Sequence, residues 1–352
     1  RQMCIRDSSS TSRLLIYRTS PNVFLPNLTS SLYHLKISVA MYSLLHHNTF
    51  GIDAWCRDFK EYNSVEELRE LLPELRADRW LHIGSGSNLL FVNDFKGTIL
   101  HSGIRGIEEV RRDGLTVWVR AGAGCVWDDF VATCLERGYY GLENLSYIPG
   151  EVGASAVQNV GAYGVEAGNL IDSVETLEVA TGEMRTFTQQ ECAYAYRSSV
   201  FKHQLKGQYI VTAVVYRLSL CFVPDLEYAA IHRELQARGI QAEQVTPKLL
   251  RNLIIEVRQS KLPDPDEVGS AGSFFMNPVI SHEQFVALQS RYPQVPHYPM
   301  GDGVKVPAGW LIEQCGWKGR SLGPAGVYSK QALVLVNLGG AAGEDVVKPV
   351  SY

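Results

Sequence analysis

Between Pro149 and Gly164 the chain reads PGEVGASAVQNVGAYG: four glycines, three alanines and one charge, Glu151, in sixteen residues. An ordinary surface loop of that length carries more Lys, Asp and Glu. Small side chains let other groups approach the backbone closely, and glycine adds conformations with positive φ. The segment therefore reads as a cradle for something large or flat, contacted through main-chain amides. A second small-residue cluster, Gly84-Ser85-Gly86-Ser87-Asn88-Leu89, lies upstream between two strand-like runs. Successive N–H groups and two hydroxyls there suit a pyrophosphate, with a simple turn as the plain alternative. It is not a GxGxxG fingerprint, because Leu89 stands where the third glycine belongs and no helical pattern follows. Two cradles in one chain point to a dinucleotide.

The surrounding pattern mixes strands and helices. Ser64 and Glu67 have capping-box spacing, and Leu68, Leu71, Leu72 and Leu75 follow at helical intervals. Residues 80–84, 89–92 and 116–122 read as strands, 126–137 as a helix closed by Gly138, and 174–180 with 184–187 as a hairpin over Thr181-Gly182. Thr188 and Glu191 form a second capping-box pair, 210–218 is a β-branched strand, and Thr246-Pro247 opens a helix to about Gln259. Ser281 caps another helix and 308–315 is a third, whereas Pro349 should stop any helix begun at GEDVV. This is α+β order, not strict βαβ alternation.

Composition removes several classes of function. With 33 Lys and Arg against 37 Asp and Glu, the net charge of −4 argues against a nucleic-acid binder held by overall charge. No apolar run approaches the roughly 20 residues of a membrane span. Seven scattered cysteines without a CxxC pair read as reduced thiols in a cytoplasmic protein, with no metal site.

Chemistry concentrates downstream. SAGSFFMNP, residues 270–278, sets Ser273 among small residues and two phenylalanines, with Asn277 four positions on. No histidine or GxSxG elbow accompanies it. Ser273 is thus expected as a proton donor to carbon in a dry pocket, with Phe274 and Phe275 excluding water, which favours reduction or isomerisation over hydrolysis. Arg197, in YAYRSS, suits bidentate capture of a carboxylate, or else a surface ion pair. Arg258 and Lys261 end the Thr246 helix, either complementing its dipole or forming a cationic rim for a phosphorylated substrate.

In order, GSGSNLLF, IPGEVGASAVQNVGAYG, YRSSVFKH, KLPDP, SAGSFFMNP and AGWLIEQCG resemble the UDP-N-acetylenolpyruvoylglucosamine reductases, of the type with an extra tyrosine-bearing loop. The resemblance spans about residues 42–347. It implies a two-part FAD-binding fold of the vanillyl-alcohol-oxidase type and a C-terminal α+β substrate-binding domain. FAD would be non-covalent and NADPH the co-substrate. Reduced flavin would deliver hydride to the enolpyruvyl ether of a UDP-sugar, giving UDP-N-acetylmuramate for peptidoglycan. The resemblance puts the proton donor at Ser273 and charge stabilisation at Arg197. Tyr228, Lys261, Asn277 and Lys305 fall at diphosphate and nucleotide contacts, and Arg258 lies near flavin and substrate. The cofactor contacts fall on Gly84, Ser85, Gly86, Ser87, Asn88, Leu89, Pro149, Gly150, Gly153, Ala154, Ser155, Asn159, Gly161, Ala162, Tyr163 and Gly164.

The expected division is 41–103 and 104–260 for the two FAD-binding parts and 261–352 for the substrate domain, in a monomer without nucleic-acid or membrane partners. Residues 1–40 lack period and read as upstream or non-native sequence ahead of Met41, with a transit peptide as the alternative. The resemblance also implies a catalytic glutamate in a segment after the final helix, which the sequence does not reach. Weak turnover and reduced stability are therefore expected. Two alternatives stay open: an FAD-linked oxidase of the same superfamily, and a catalytically silent flavin or nucleotide-sugar binder.

Overall fold

Strands Trp55–Tyr62, Phe95–Ser102 and Trp80–Ile83 pair in parallel, and Tyr42–Ser43 adds an antiparallel edge. Parallel pairing needs a crossover, which helix α1 (Val65–Ala77) supplies. The Ser64 hydroxyl accepts the Glu67 N–H at 3.1 Å. The capping box is only half closed, because the Glu67 carboxylate takes the Asn63 N–H at 2.7 Å. Leu68, Leu72 and Leu75 bury against Tyr62 and Leu100, and against Leu177 and Ile210 of the next unit. This computed structural model describes residues 41–350 and the backbone of Leu15–Ile16, which pairs with Leu89–Leu90. The reading of residues 1–40 as non-native otherwise lies outside the described residues. Of the strand expected over 89–92, only Leu89–Leu90 forms; Phe91 and Val92 turn into the core.

The second unit is a five-stranded antiparallel sheet in the order Met184–Thr188, Ile171–Glu178, Tyr209–Ser219, Thr116–Gly122, Ile107–Asp113. Its central strand is buried almost continuously. Helices α2 (Trp127–Glu136) and α3 (Val152–Gln158) contribute Trp127, Phe130, Val152 and Ala156 to a core shared with Tyr216. Gly138, at φ 75°, closes α2 as its spacing suggests. Thr188 and Glu191 do exchange hydrogen bonds, Thr188 N–H to the carboxylate at 2.8 Å and Glu191 N–H to the hydroxyl at 3.3 Å. No α-helix starts at this pair, since the chain turns through Ala193 (φ 47°) and Arg197 (φ 55°) before a short 3-10 turn at Val200–Lys202.

Helices α4 (Ala229–Ala237) and α5 (Pro247–Lys261) pack through Ile231, Leu235, Leu250, Leu253 and Ile254. The Thr246 hydroxyl caps α5 at the Leu249 N–H, and a two-pronged Arg251–Asp128 pair at 2.7 and 2.8 Å ties it to α2. Beyond it, Gly269–Ser273, Val334–Asn337, Ala325–Val327 and Ser321–Leu322 form a four-stranded sheet. Val279–Ile280, Gly303–Lys305 and Tyr298–Met300 form a three-stranded one, accompanied by α6 (His282–Arg291) and α7 (Ala308–Gln314). Ala271, Ala325, Val327 and Leu335 share one core with Leu44, Phe50, Phe91 and Phe95 of the first unit. Helix α8 (Gly343–Val350) adds Val346 to that core. Pro349 does not stop α8 as its sequence suggests: it lies in the last turn, where the missing N–H removes one bond from an element about to end. No helix among the described residues is long and apolar enough to cross a membrane.

Candidate active site

The two cradles face each other. A β-carbon on Gly84 would lie 3.2 Å from Glu151 Oε2 and 3.6 Å from Ala154 Cβ, and one on Gly150 would lie 3.3 Å from Ser87 Oγ. Much of the second cradle is helix. In α3, Gly153 packs so closely that a β-carbon there would sit 2.9 Å from Ala123 Cβ. Asn159 ends α3 at φ 46°. Its amide donates to Glu166 Oε2 and the Ala195 carbonyl, both at 2.8 Å, and its oxygen accepts the Gly168 N–H. Ser155 Oγ donates to the Val152 carbonyl and meets Tyr216 OH at 2.7 Å. Ser155 and Asn159 therefore give their side chains to the fold. By contrast, Ser85, Ser87 and Asn88 have no side-chain hydrogen-bond partner among the described residues, and Ser85 and Asn88 are exposed. Facing glycines with free hydroxyls fit a dinucleotide held by backbone and short side chains.

The strand bearing Ser273 is laced to the first cradle through Thr49. The Thr49 N–H donates to the Gly86 carbonyl at 3.3 Å, its hydroxyl donates to the Ser270 carbonyl at 2.6 Å, and its carbonyl accepts the Ser270 N–H at 2.9 Å. Ser273 itself is exposed, not sheltered. Phe274 and Phe275, ring centres 5.1 Å apart, pack on the shared core beneath the sheet and leave the hydroxyl uncovered. A register shift between Ser270 and Ser273, with Gly272 at φ 67°, accounts for this, because bulges re-aim the side chains that follow them. Asn277 uses its side-chain oxygen on the Ala308 N–H at 2.9 Å, fixing the start of α7.

Arg197 is half-buried and holds main chain. Its guanidinium donates to the Asn159 carbonyl at 3.3 Å and to the Gly161 carbonyl. A β-carbon on Gly161 would collide with that guanidinium at 2.6 Å. Lys305 Nζ lies 5.4 Å from the Tyr196 ring and 5.9 Å from Tyr298, while Arg197 lies 5.3 Å from Tyr196. Tyr163 and Tyr228 meet edge to face at 5.3 Å. Arg258 donates to the Tyr147 carbonyl at 2.9 Å, and burial lowers its pKa. Burial raises the phenol pKa of both Tyr163 and Tyr228, so both stay neutral donors. Arg197, Tyr228, Arg258 and Lys305 thus line one tyrosine-rich rim, with Lys261 one turn beyond Arg258 on α5. Among the described residues none of Arg197, Arg258, Lys261 and Lys305 forms a carboxylate ion pair, so the surface ion pair open to Arg197 in the sequence is not made. Of the five non-glycine residues with positive φ among the described residues, Tyr147, Asn159, Tyr163 and Arg197 lie in or against the second cradle. Such strain gathers at functional sites.

Sequence reasoning passed over Lys202. Its Nζ donates to Gln158 Oε1 and to the Arg197 carbonyl, both at 2.8 Å. Burial, with Arg197 nearby, lowers its pKa to about 8. The available signal was its place five residues after Arg197 in YRSSVFKH.

Two facing cradles with a cation rim between them and the C-terminal α+β domain fit a flavin-dependent oxidoreductase. An FAD binding domain family model matches residues 60–188, and that of the UDP-N-acetylenolpyruvoylglucosamine reductase C-terminal domain matches residues 264–351. The UDP-N-acetylenolpyruvoylglucosamine reductase of Bacteroides fragilis (strain YCH46) is 55% identical over 308 residues, 87% of this chain and 91% of the relative. That of Porphyromonas gingivalis (strain ATCC 33277) is 50% identical over 313 residues, 87% of this chain and 90% of the relative. The crystal structure of the Thermus caldophilus reductase shares the fold, with TM-score 0.60 and 23% identity over 89% of this chain and 94% of that one. The chain belongs to the UDP-N-acetylenolpyruvoylglucosamine reductase family.

Proposed function

We propose that the protein reduces UDP-N-acetyl-3-O-(1-carboxyvinyl)-glucosamine to UDP-N-acetylmuramate with NADPH, a step of peptidoglycan precursor synthesis. The carrying observation is the group of four cations without carboxylate partners beside two facing cradles, a site suited to a polyanionic substrate next to a dinucleotide. Gly84 to Leu89, Pro149, Gly150, Gly153, Ala154 and Gly161 to Gly164 would hold FAD through backbone and short side chains. Ser155 and Asn159 would support that surface from behind. Bound flavin supplies the hydride chemistry, and the protein supplies orientation and field.

Lys261, Lys305 and Tyr228 hold the diphosphate, whose charge also engages Arg258. Asn277 fixes α7 and leaves its amide group to the nucleotide. Arg197, anchored on the cradle carbonyls, keeps further N–H groups for the substrate carboxylate. As hydride adds to the terminal vinyl carbon, negative charge spreads into that carboxylate, and a fixed guanidinium stabilises it. Ser273 then gives a proton to the adjacent carbon. An alcohol is a weak acid, so only a strongly basic carbon draws that proton. Because Ser273 is exposed in the free protein, its water-poor setting must come from the bound substrate. The enzyme is read as a cytoplasmic monomer.

The test is product analysis. Incubation with NADPH and the enolpyruvyl sugar should consume the two in equal amounts and yield a product heavier by two hydrogens in mass spectra. NADPH consumption that ignores the sugar and tracks oxygen would favour the oxidase reading, and no consumption at all would favour the silent binder.

A further inference from the structure

His101 lies on strand Phe95–Ser102, directly across from Glu61 of strand Trp55–Tyr62. Its Nδ1 is 2.8 Å from Glu61 Oε2 and its Nε2 is 2.9 Å from Glu151 Oε1. Glu151 immediately precedes α3 in the second cradle, and its carboxylate is only 8% exposed. Its other oxygen, Oε2, lies against Gly84 of the first cradle. One histidine thus links the first unit to the second at the line where the cradles meet. We propose that Glu61, His101 and Glu151 form a clamp that fixes the second cradle against the first, and that His101 is a positioning residue for FAD. The inference rests on the FAD reading of the cradles.

Both ring nitrogens face carboxylates, so only the imidazolium donates to both. A neutral ring must abandon one, and if it abandons Glu151 it leaves a nearly buried negative charge beside the place of the cofactor's phosphates. The neighbouring groups do not supply a substitute charge. His82, on the adjacent strand, is pushed down to about 4 by burial and by His101, and it meets Tyr62 OH at 3.0 Å. His47 is likewise lowered by burial and by His101. The Glu151 hydrogen bond, helped by Glu61, holds His101 above its ordinary 6.5 against the opposing effect of burial. A raised pKa gives a contribution fully present below 6.5 and lost as pH rises through the higher folded value. Bound phosphates beside Glu151 favour the imidazolium over the neutral ring, so FAD should be held more tightly in mild acid than in mild alkali.

The experiment measures FAD dissociation from the holoenzyme by recovery of free flavin fluorescence, between about pH 6 and about pH 9. The wild type should weaken with rising pH. His101→Gln should bind FAD about tenfold more weakly at the acid end, the equivalent of one charge-assisted hydrogen bond, and should lose the pH dependence. Circular dichroism checks that this variant folds. Glu61→Gln, at a half-exposed carboxylate, keeps the test open if it does not; it should move the wild-type transition to lower pH. A flat wild-type profile, or an unchanged profile in both variants, overturns the clamp. A wild type that binds no FAD at any pH refutes instead the cofactor reading beneath it.

Discussion

Arg197 owes its geometry to its neighbours as much as to its own side chain. Its backbone sits at φ 55°, a conformation costly for a residue with a long side chain. Lys202 grips its carbonyl at 2.8 Å while its own guanidinium grips cradle carbonyls. Removing the Lys202 ammonium should let the loop relax. Lys202→Met should lower kcat about tenfold, the scale of one lost charged hydrogen bond, while KM for NADPH and FAD content stay near wild type. Unchanged kcat would show that Arg197 needs no anchor. Arg197 was legible because a guanidinium in a recognisable motif announces itself. Lys202 was not, because its role comes from burial between Gln158 and Arg197, which sequence order does not reveal. Ser273 stands out in the sequence as a chemical candidate but was misread as sheltered, since the bulge that turns Phe274 and Phe275 away has only Gly272 as a local sign.

At the scale of elements, α3 shows why a small-residue run is needed. Seven residues of helix lie between the second sheet and the first cradle, and Gly153 touches Ala123 so closely that any side chain must push the helix outward. Gly153→Ala should cost about 1–3 kcal/mol, the usual penalty for overpacking, and should weaken FAD retention more than a Gly→Ala change at Gly309 of α7, where a β-carbon would meet nothing nearer than 3.5 Å. Thermal melts with and without added FAD check this, and equal effects at both sites would deny α3 its place in the cradle. Elements set by local chemistry were readable: the Ser281 cap, the Thr246-Pro247 start and the hairpin over Gly182 all form where their residues demand. Thr188 and Glu191 kept their hydrogen bonds but not their helix, because the chain turns at positive φ through Ala193 and Arg197.

Across the whole molecule, the last strands are part of the first unit's interior. Leu335, only 1% exposed, belongs to the same core as Phe50, Leu90 and Phe95. Leu335→Ala should destabilise the protein by about 2–5 kcal/mol and release FAD as the first cradle loosens. Urea unfolding followed by flavin fluorescence reads both, and flavin retained through the loss of the C-terminal sheet would separate the two. A division into consecutive segments describes the order of motifs but not this shared core, since contacts between residues some 280 positions apart leave no local trace. The ordered set of motifs nevertheless carried the fold class, because its two cradles need small residues where backbone and neighbouring side chains approach closely. The central claim joins the two ends of the site: hydride chemistry at the cradles and proton donation from Ser273. Stopped-flow absorbance separates them. In Ser273→Ala, NADPH should bleach the bound flavin at the wild-type rate, and reoxidation by the enolpyruvyl sugar should slow by about 10²–10⁴-fold. Equal slowing of both halves, or normal reoxidation, would contradict the assignment of the proton to Ser273.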